Sequence, residues 1–428
     1  MLRIIILLIG ADPFRREWHK LPMIGVVLML IGIASVLGLA WWLLIVVSTL
    51  FGVICVIEGL VSLSDLSVVR RKHRLVLLLS AGALIALGGL AMRAPVDNSW
   101  ASTVFFGVGF LIDGMLRMAS AHVIRFHGYK RSMLIGAAEV LVSIQVFTHW
   151  PIAHLHTFPV CFGILLMAYG AMMCRLGLEF RELPEGISVL SMPYFRRHNW
   201  YWYEKLPIHA APAKRPFYPL MVHVWTPLGS TPNPQRRAIV DRYIAAVDRN
   251  GKVSTGHSSL ELPPDLYISL YPGVESFSEN QFRGMLLAHK ENDIPGRFLE
   301  SYESEVADWC EPNRQIWFRN YNEEALRTFW DIYRRDVVYN LSSRNCSTTV
   351  ALALDVALEG IVGRTRPWYR FFILATDPNV WLLSLLRTRG NTMTWTPGLI
   401  LDYARVLRRV SEFQRERWLV RMLHRVFG

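Results

Sequence analysis

The sequence predicts a helical membrane bundle followed by an α+β soluble domain. Hydrophobic residues make up 52% of the 428 residues, and charged residues only 19%. Long uncharged runs are confined to residues 1–180, whereas residues 181–428 mix aromatic, polar and arginine residues as a soluble chain does. This composition excludes a fully soluble protein and a disordered one. Five scattered cysteines exclude a disulfide-stapled secreted module, and no C-x-x-C pair indicates zinc.

Six apolar segments are predicted to be transmembrane helices, because a bilayer core about 30 Å thick needs about 20 apolar residues per helix. Two of them lie in Leu21–Ser64, which contains one charged residue, Glu58. The others are Leu75–Met92, Trp100–Ser120, Ser132–Trp150 and Phe158–Cys174. Met1–Gly10 is apolar but too short to span, and we expect it to lie at the membrane interface.

The basic residues predict the orientation of these spans. They cluster before the first span and after the second, fourth and sixth, whereas the other connections hold little more than Arg93 and histidines. By the positive-inside rule, both termini of this multi-pass chain are expected to lie in the cytoplasm.

An internal repeat divides the membrane half into three hairpins. Glu58-Gly59 and Asp113-Gly114 lie 55 residues apart, and Tyr169-Gly170 follows 56 residues later. Glycine allows close approach of helices in lipid, and intramembrane acids are costly unless they face the bundle interior. We therefore expect Glu58, Asp113 and Glu139 inside the bundle, either as neutral hydrogen-bonding carboxyls or as a site for protons or a polar ligand.

In its six spans, three hairpins and glycine–acid repeat, the segment 1–180 resembles the HdeD-like family of small bacterial membrane proteins. The resemblance implies a location in the bacterial inner membrane and a link to acid resistance. The resemblance implies no catalytic residues.

The soluble half begins after a proline- and aromatic-rich connector, residues 181–216. Pro234–Arg249 is predicted to be a helix, and the strands Ser254–Leu262 and Leu266–Tyr271 form a hairpin around Pro263-Pro264-Asp265. Side chains alternate along a strand, so one face of this hairpin carries three polar residues of its first strand. They are His257, Ser259 and Glu261, with Tyr267, Ser269 and Tyr271 on the partner strand.

Cys346 is the candidate nucleophile, because it lies in the first turn of a predicted helix that Ser342, Ser343 or Asn345 caps and Gly360 ends. The unsatisfied N–H groups and the dipole at a helix start favour a thiolate. His257 would activate the thiol and then protonate the leaving group, while backbone N–H groups hold the oxyanion. Ser269 or Glu261 would orient the imidazole, and we favour Ser269. The alternative is a structural cysteine and a structural histidine.

Three segments taken together resemble the circularly permuted papain-like group, which includes NlpC-type peptidases and lecithin:retinol acyltransferase-like enzymes. They are Gly256–Leu262, Tyr267–Gly273 and Asn345–Val350, within a resemblance that covers about Leu220 to Gly360. In that group the histidine strand precedes the cysteine helix, as His257 precedes Cys346 here by 89 positions. The resemblance implies His257 as the catalytic histidine, Cys346 as the nucleophile and Ser269 as the third polar residue. It implies no cofactor and no metal.

The predicted domain order is thus a membrane domain at 1–180, the connector, a papain-like domain at 217–400 and a basic amphipathic helix at 401–428. Such a helix lies either on an anionic membrane surface or on the protein. We expect no nucleic acid as a partner, since the chain carries no nucleic-acid fold signature.

The predicted function is a membrane-anchored cysteine hydrolase or acyltransferase that acts on an amide or acyl ester bond. Its partner is the lipid bilayer, and its substrate is lipid-linked or a membrane protein. The alternative is a non-enzymatic membrane stress protein whose degenerate thiol domain binds partners.

Overall fold

The fold is mostly helical, with antiparallel sheets confined to the C-terminal part of the chain. The computed structural model describes residues 1–39, 41–64, 71–93, 103–125, 129–195, 216–228, 234–235, 246–248, 253–273, 292–364 and 366–412. The chain forms two compact units. The helical unit comprises Phe14–His122 and Tyr129–Glu182, and the mixed unit comprises Met1–Pro13, Val123–Gly128 and Leu183–Gly428.

The helices of the first half follow one another with short connections. The chain opens with α1 (Leu2–Ile9) and α2 (Ala11–Arg16). Six helices follow: α3 (Lys20–Val36), α4 (Trp41–Ser64), α5 (Arg71–Arg93), α6 (Gly109–Ile124), α7 (Tyr129–Thr148) and α8 (His154–Glu182). A π-helical segment, Thr103–Val108, leads directly into α6.

Small residues bring the six helices of the helical unit together in pairs. A Cβ added to a glycine of one helix would lie 2.5–2.9 Å from a carbonyl oxygen of its partner helix, so the backbones are in direct contact. These approaches join Gly59 to Ala81 and Gly52 to Gly88 (α4–α5), Gly114 to Gly136 (α6–α7), and Gly25 to Gly170 and Gly32 to Gly163 (α3–α8). In each pair the earlier residue of one helix contacts the later residue of the other, so the two helices are antiparallel.

The contact positions recur three times along the chain, at spacings of 55 and 56 residues. The equivalent sets are Gly25, Ala81 and Gly136; Gly32, Gly88 and Ser143; Gly52, Gly107 and Gly163; and Gly59, Gly114 and Gly170. The Ser143 hydroxyl donates to the carbonyl oxygen of Gly107 at 2.8 Å, which completes the pattern in α7. The predicted threefold repeat is therefore present in the packing.

The predicted pairing of the spans within three tandem hairpins is wrong. Each glycine-bearing second helix packs on the first helix of the next repeat, and the last helix, α8, packs on the first, α3. The physical reason is that matching small-residue faces, rather than neighbourhood in sequence, determine which backbones can touch.

Many large apolar side chains of the helical unit are exposed, as expected for surfaces that face lipid. Leu30, Leu134 and Leu141 are each at least 60% exposed. Two helices within the described ranges are long and apolar enough to cross a membrane, Tyr129–Thr148 and His156–Glu182. Shorter apolar stretches lie at Lys20–Val36, Ile45–Leu60 and Ala81–Arg93. The count of six spans remains a prediction.

The two acids of the α6–α7 pair form ion pairs with an arginine. Arg117 Nη2 lies 2.7 Å from Asp113 Oδ2, and Arg117 Nε lies 3.1 Å from Glu139 Oε2. Glu139 is mostly buried, but the Asp113 side chain is 59% exposed within the unit. Of the three acids expected inside the bundle, Glu139 is mostly buried, Glu58 is half-buried and Asp113 is exposed. Asp113 and Glu139 form ion pairs with Arg117, which differ from the neutral hydrogen bonds that were one of the two alternatives.

The mixed unit is built around one four-stranded antiparallel sheet in the order β6-β5-β1-β9. Its strands are β1 (Leu220–Trp225), β5 (His257–Leu262), β6 (Leu266–Ile268) and β9 (Arg314–Phe318). Two small sheets accompany it, formed by β2 (Pro234–Gln235), β3 (Ala246–Asp248) and β4 (Val253–Ser254), and by β7 (Leu270–Pro272), β8 (Ile294–Phe298) and β10 (Val338–Tyr339). The helix predicted over Pro234–Arg249 is contradicted at both ends, where β2 pairs with β3; residues 236–245 lie outside the described residues.

Six helices complete the mixed unit and cover both faces of its sheet. They are α9 (Tyr302–Asp308), α10 (Glu323–Tyr333), α11 (Cys346–Leu358), α12 (Pro367–Thr376), α13 (Pro378–Thr392) and α14 (Pro397–Glu412). Helices α11 and α14 pack on the apolar face of the sheet, where Val222, Leu260 and Phe318 are buried. The opposite face carries the polar side chains of β5 and is bridged to α9 by hydrogen bonds.

Helix α1 is part of the mixed-unit core, which corrects both its predicted interfacial position and its place in a domain of residues 1–180. All of its residues except Arg3 are buried, and it packs on α11, α12 and α13. Its carbonyl groups at Leu7 and Leu8 accept hydrogen bonds from the N–H groups of Gly360 and Val362 at 2.9 and 2.8 Å. A Cβ at Gly363 would lie 1.9 Å from the Ile9 carbonyl oxygen, so only glycine allows this contact.

The C-terminal helix is likewise a core element over its described length. Most apolar residues of α14 are buried, and the helix packs on β1, β5, β9 and α11. Of the two alternatives for the helix at 401–428, residues 401–412 follow the second: they pack on the protein and not on a membrane surface, because their apolar face is covered by protein. Residues 413–428, and residues 196–215 of the predicted connector, lie outside the described residues.

Glu359, directly after α11, is a buried carboxyl that ties this helix to the segment following α8. The Ser188 hydroxyl donates to its carboxylate, and the Val189 N–H donates to Oε1 at 2.9 Å. Burial raises the pKa of Glu359 from its ordinary value near 4.5 to about 7. Asp355 and Asp12 add to the rise, and the two hydrogen bonds oppose it.

We expect the stability of the mixed unit to fall between pH 4.5 and pH 7. Folded Glu359 binds its proton more tightly than the unfolded chain does, so its contribution is complete below pH 4.5 and is lost as pH rises through about 7. The loss is on the order of 3 kcal/mol. Denaturant unfolding followed by tryptophan fluorescence should show a flatter pH dependence for Glu359→Gln than for wild type or for the exposed control Glu324→Gln. An unchanged slope in Glu359→Gln would contradict this assignment.

Candidate thiol site

The candidate site lies where the first residue of β5 meets the first residue of α11. Gly256, directly before this strand, has a φ of +72°, and a Cβ there would lie 2.3 Å from the Trp225 carbonyl oxygen. This position therefore requires glycine. Asn345 is the cap of α11: its side-chain oxygen accepts from Thr348 N–H at 2.8 Å. Its amide nitrogen donates to the carbonyl oxygens of Leu341 and Trp395 at 2.8 and 2.9 Å, which fixes the turn before Cys346.

Cys346 and His257, the predicted nucleophile and base, lie close enough together for each to shift the pKa of the other. Both side chains are buried, with 8% and 4% of their surfaces exposed. Burial alone would raise the pKa of the thiol. The charge and hydrogen bond of His257 outweigh burial, helped by the Ser258 N–H and the Ser347 hydroxyl, so the pKa of Cys346 is lowered from its ordinary range.

The pKa of the His257 imidazole is shifted in the opposite direction, upward. Burial alone would lower the pKa of His257, but the Cys346 sulfur and then the Glu305 carboxylate raise it above its ordinary value. Each group thus shifts the other toward its charged form, because opposite charges at close range compensate each other.

The other side of the imidazole is held by two polar groups. His257 Nε2 lies 2.8 Å from Ser269 Oγ and 3.2 Å from Glu305 Oε1. Because Nε2 is engaged there, Nδ1 is the ring nitrogen that remains for the sulfur. The structure therefore brings together all three predicted site residues, Cys346, His257 and Ser269.

Glu305 is the site residue that sequence reasoning missed. It lies in α9 and is 1% exposed. Three hydroxyl groups surround its carboxylate: those of Tyr267, Ser269 at 3.0 Å and Tyr271 at 2.7 Å. The sequence signal that could have indicated it is Ser301, a helix-capping residue that precedes the short acidic helix α9. Nothing in the sequence indicated that this helix covers the polar face of the sheet.

Aromatic rings clamp the imidazole between them. The Tyr271 ring is stacked on the His257 ring with centroids 4.1 Å apart, and Trp225 lies on another side at 5.7 Å. Trp309 stacks on Trp225 at 5.7 Å and remains 41% exposed. These contacts restrict rotation of the His257 ring, which suits a base that serves Cys346.

Glu261, the alternative orienting residue, serves a different histidine. Its Oε2 lies 2.7 Å from His223 Nε2, and Gln315 Nε2 lies 3.3 Å from His223 Nδ1. The Tyr302 ring stacks on His223 at 4.3 Å. His223 is thus a satisfied buried histidine on the same sheet, separate from Cys346.

Within the described residues, His, Cys, Asp and Glu side chains form no group of three or more suited to a metal ion. All five cysteines are free, and Cys310 lies outside the hydrogen-bonded group around His257. Its carbonyl group accepts from Trp225 Nε1 at 2.8 Å.

Comparison with known proteins informs the helical unit. Residues 79–148 match the family described as a short repeat of unknown function (DUF308). This repeat is of the membrane-associated, HdeD-like kind, which confirms that part of the predicted resemblance. The matched stretch runs from within α5 to the end of α7 and so includes the whole α6–α7 pair. No curated protein and no solved structure matches the chain. The papain-like resemblance of the mixed unit stays a prediction.

Replacing Glu305 by glutamine should slow alkylation of Cys346 near neutral pH by about 10- to 100-fold, the usual cost of losing a charged hydrogen-bond partner. The carboxylate raises the pKa of His257, so its loss reduces the population of the ion pair. Iodoacetamide labelling of Cys346, followed by mass spectrometry, measures the rate. Glu261→Gln, which alters the neighbouring histidine, is the matched control. Equal rates in wild type and Glu305→Gln would remove Glu305 from the site.

Proposed function

We propose that the chain is a membrane-anchored cysteine hydrolase or acyltransferase that acts on an amide or acyl ester bond. The observation that carries the proposal is the buried contact between Cys346 at a helix start and His257, with Ser269 and Glu305 on the far side of the ring. Such a pair provides a nucleophile and a neighbouring base that lowers the pKa of the thiol, which is what nucleophilic catalysis by cysteine needs.

The reaction follows from these groups. The Cys346 proton moves to His257 Nδ1, and the sulfur attacks the carbonyl carbon of the substrate. The backbone N–H groups at the start of α11 then stabilise the oxyanion. His257 returns the proton to the leaving amine or alcohol as the carbon–heteroatom bond breaks, which leaves a thioester on Cys346. Water or an acceptor alcohol or amine, deprotonated by His257, attacks the thioester and regenerates the thiol.

The helical unit would hold this site at the membrane. We propose six spans, with both termini on the cytoplasmic side of the inner membrane, from the apolar segments and the distribution of basic residues. This location favours a lipid-linked or membrane-protein substrate.

The proposal is tested by trapping the thioester. Full-length protein incubated with an activated acyl ester should gain one acyl group on Cys346, seen by mass spectrometry and released by hydroxylamine. Cys346→Ala and His257→Ala should abolish the adduct while keeping the thermal transition of the mixed unit. Equal acylation of wild type and both variants would reject the enzyme and favour the alternative, a partner-binding membrane stress protein.

A further inference from the structure

The hairpin of α12 and α13 presents an exposed apolar ridge on the mixed unit. Four large side chains form it: Tyr369 and Phe372 in α12, which are 47% and 59% exposed, and Leu382 and Leu385 in α13, which are 43% and 54% exposed. Each pair is spaced three residues apart, so the two members of a pair lie on the same side of their helix. A patch of this kind on a folded unit indicates an interaction surface.

The ridge faces away from the core of the mixed unit. Both helices pack on α1 with their opposite faces. Phe371 and Leu374 of α12, and Val380 and Leu383 of α13, are buried on that inner side. The hairpin therefore has two distinct apolar faces. One face packs inside the unit, and the ridge forms the other.

Positive charge borders the ridge. The arginines of this region are Arg364, Arg366, Arg370, Arg387 and Arg389, and Arg387 is neutralised by Asp355 at 2.7 Å. From residue 364 to residue 392 the sequence holds one acid, Asp377, and its side chain caps α13 by accepting from Asn379 N–H at 2.8 Å. Arg364 and Arg366 are exposed.

We infer that the α12–α13 ridge docks on the surface of a bilayer that contains anionic lipids. Aromatic and leucine side chains would enter the boundary between headgroups and acyl chains, and the bordering guanidinium groups would bind lipid phosphates. The chain is membrane-associated through its DUF308 repeat, so a bilayer is always available to this surface. The docking does not depend on the proposed thiol reaction.

Two comparisons on the molecule favour lipid as the occupant. Helix α14 also carries arginines, but its apolar face is buried in the unit, so it has no apolar surface to offer. A second copy of the chain would bring the same arginines face to face, and like charges disfavour that contact. An anionic bilayer complements both the apolar ridge and its charge.

Site-specific photo-crosslinking in the full-length chain tests the inference. Phe372→benzoylphenylalanine and Leu385→benzoylphenylalanine should form lipid adducts in nanodiscs that contain phosphatidylglycerol and one protein copy each. The control Glu324→benzoylphenylalanine, at an exposed position of α10 in the same unit, should form few lipid adducts. Replacing phosphatidylglycerol by phosphatidylcholine should reduce adducts at positions 372 and 385 several-fold.

A second arm tests the charge. Arg364→Gln, Arg366→Gln and Arg389→Gln together should reduce adduct formation at position 372 several-fold in phosphatidylglycerol, while the thermal transition of the mixed unit stays in place. Equal lipid adducts at positions 372, 385 and 324 would overturn the inference. Protein–protein adducts at 372 in two-copy discs, without lipid adducts in one-copy discs, would overturn it in favour of a dimer contact.

Discussion

Replacing His257 by alanine should move the titration of the Cys346 thiol upward, above its ordinary range. The thiol is buried, and burial alone raises its pKa; the lowering comes from the imidazole charge and hydrogen bond, which the variant lacks. Acyl transfer through Cys346 should then fall by about 10²- to 10⁴-fold, the usual contribution of a positioned general base. The pH dependence of Cys346 alkylation, resolved from the other four cysteines by peptide mass, measures the shift.

The matched control is His223→Ala. His223 is equally buried, lies on the neighbouring strand and is paired with Glu261 rather than with Cys346. Its removal should leave the pH profile of Cys346 unchanged, even if it lowers stability. Identical profiles for His257→Ala and wild type would show that the lowered thiol pKa has another origin, and the proposed chemistry would lose its base.

Replacing Ile5 by aspartate should unfold the mixed unit, although the residue lies at the opposite end of the sequence from most of that unit. Ile5 is 0% exposed in a helix whose apolar residues are all buried and which packs on α11, α12 and α13. A buried unpaired charge costs several kcal/mol, comparable with the whole stability of an ordinary domain of about 5–15 kcal/mol. The variant should lose the thermal transition of the mixed unit and expose Cys346 to rapid alkylation.

A graded series of substitutions separates packing from charge at this position. Ile5→Ala should cost about 2–5 kcal/mol and Ile5→Val about 0.5–1.5 kcal/mol, as for other core isoleucines. Unfolding by denaturant, read from the tryptophan fluorescence of the mixed unit, gives these values. A wild-type transition in Ile5→Asp would show that α1 does not belong to this core.

The site could be predicted from the sequence wherever its geometry is local. The alternation of β5 and β6 places His257, Ser259 and Glu261 on one face with Tyr267 and Ser269, and the register Glu261–Tyr267 agrees. The Asn345 cap that places Cys346 at a helix start depends on residues only three positions apart. Strand alternation and helix capping are short-range rules, so the side chains that they position can be read from the sequence.

Glu305, α1 and the helix pairing could not be predicted in the same way. Glu305 reaches the imidazole because α9 covers the polar face of the sheet, and α1 enters a core made of residues more than 300 positions away. The repeat of small residues was visible in part, but its cyclic pairing, α8 with α3, was not.

The sequence by itself therefore determined a membrane-associated helical half, a polar hairpin face and a cysteine at a capped helix start. Only the tertiary structure decided which carboxylate holds the histidine, which end of the chain completes the core and which helices touch. The reason is physical: caps and strand faces depend on backbone geometry over a few residues, whereas these contacts depend on the complementarity of surfaces that folding brings together from distant positions.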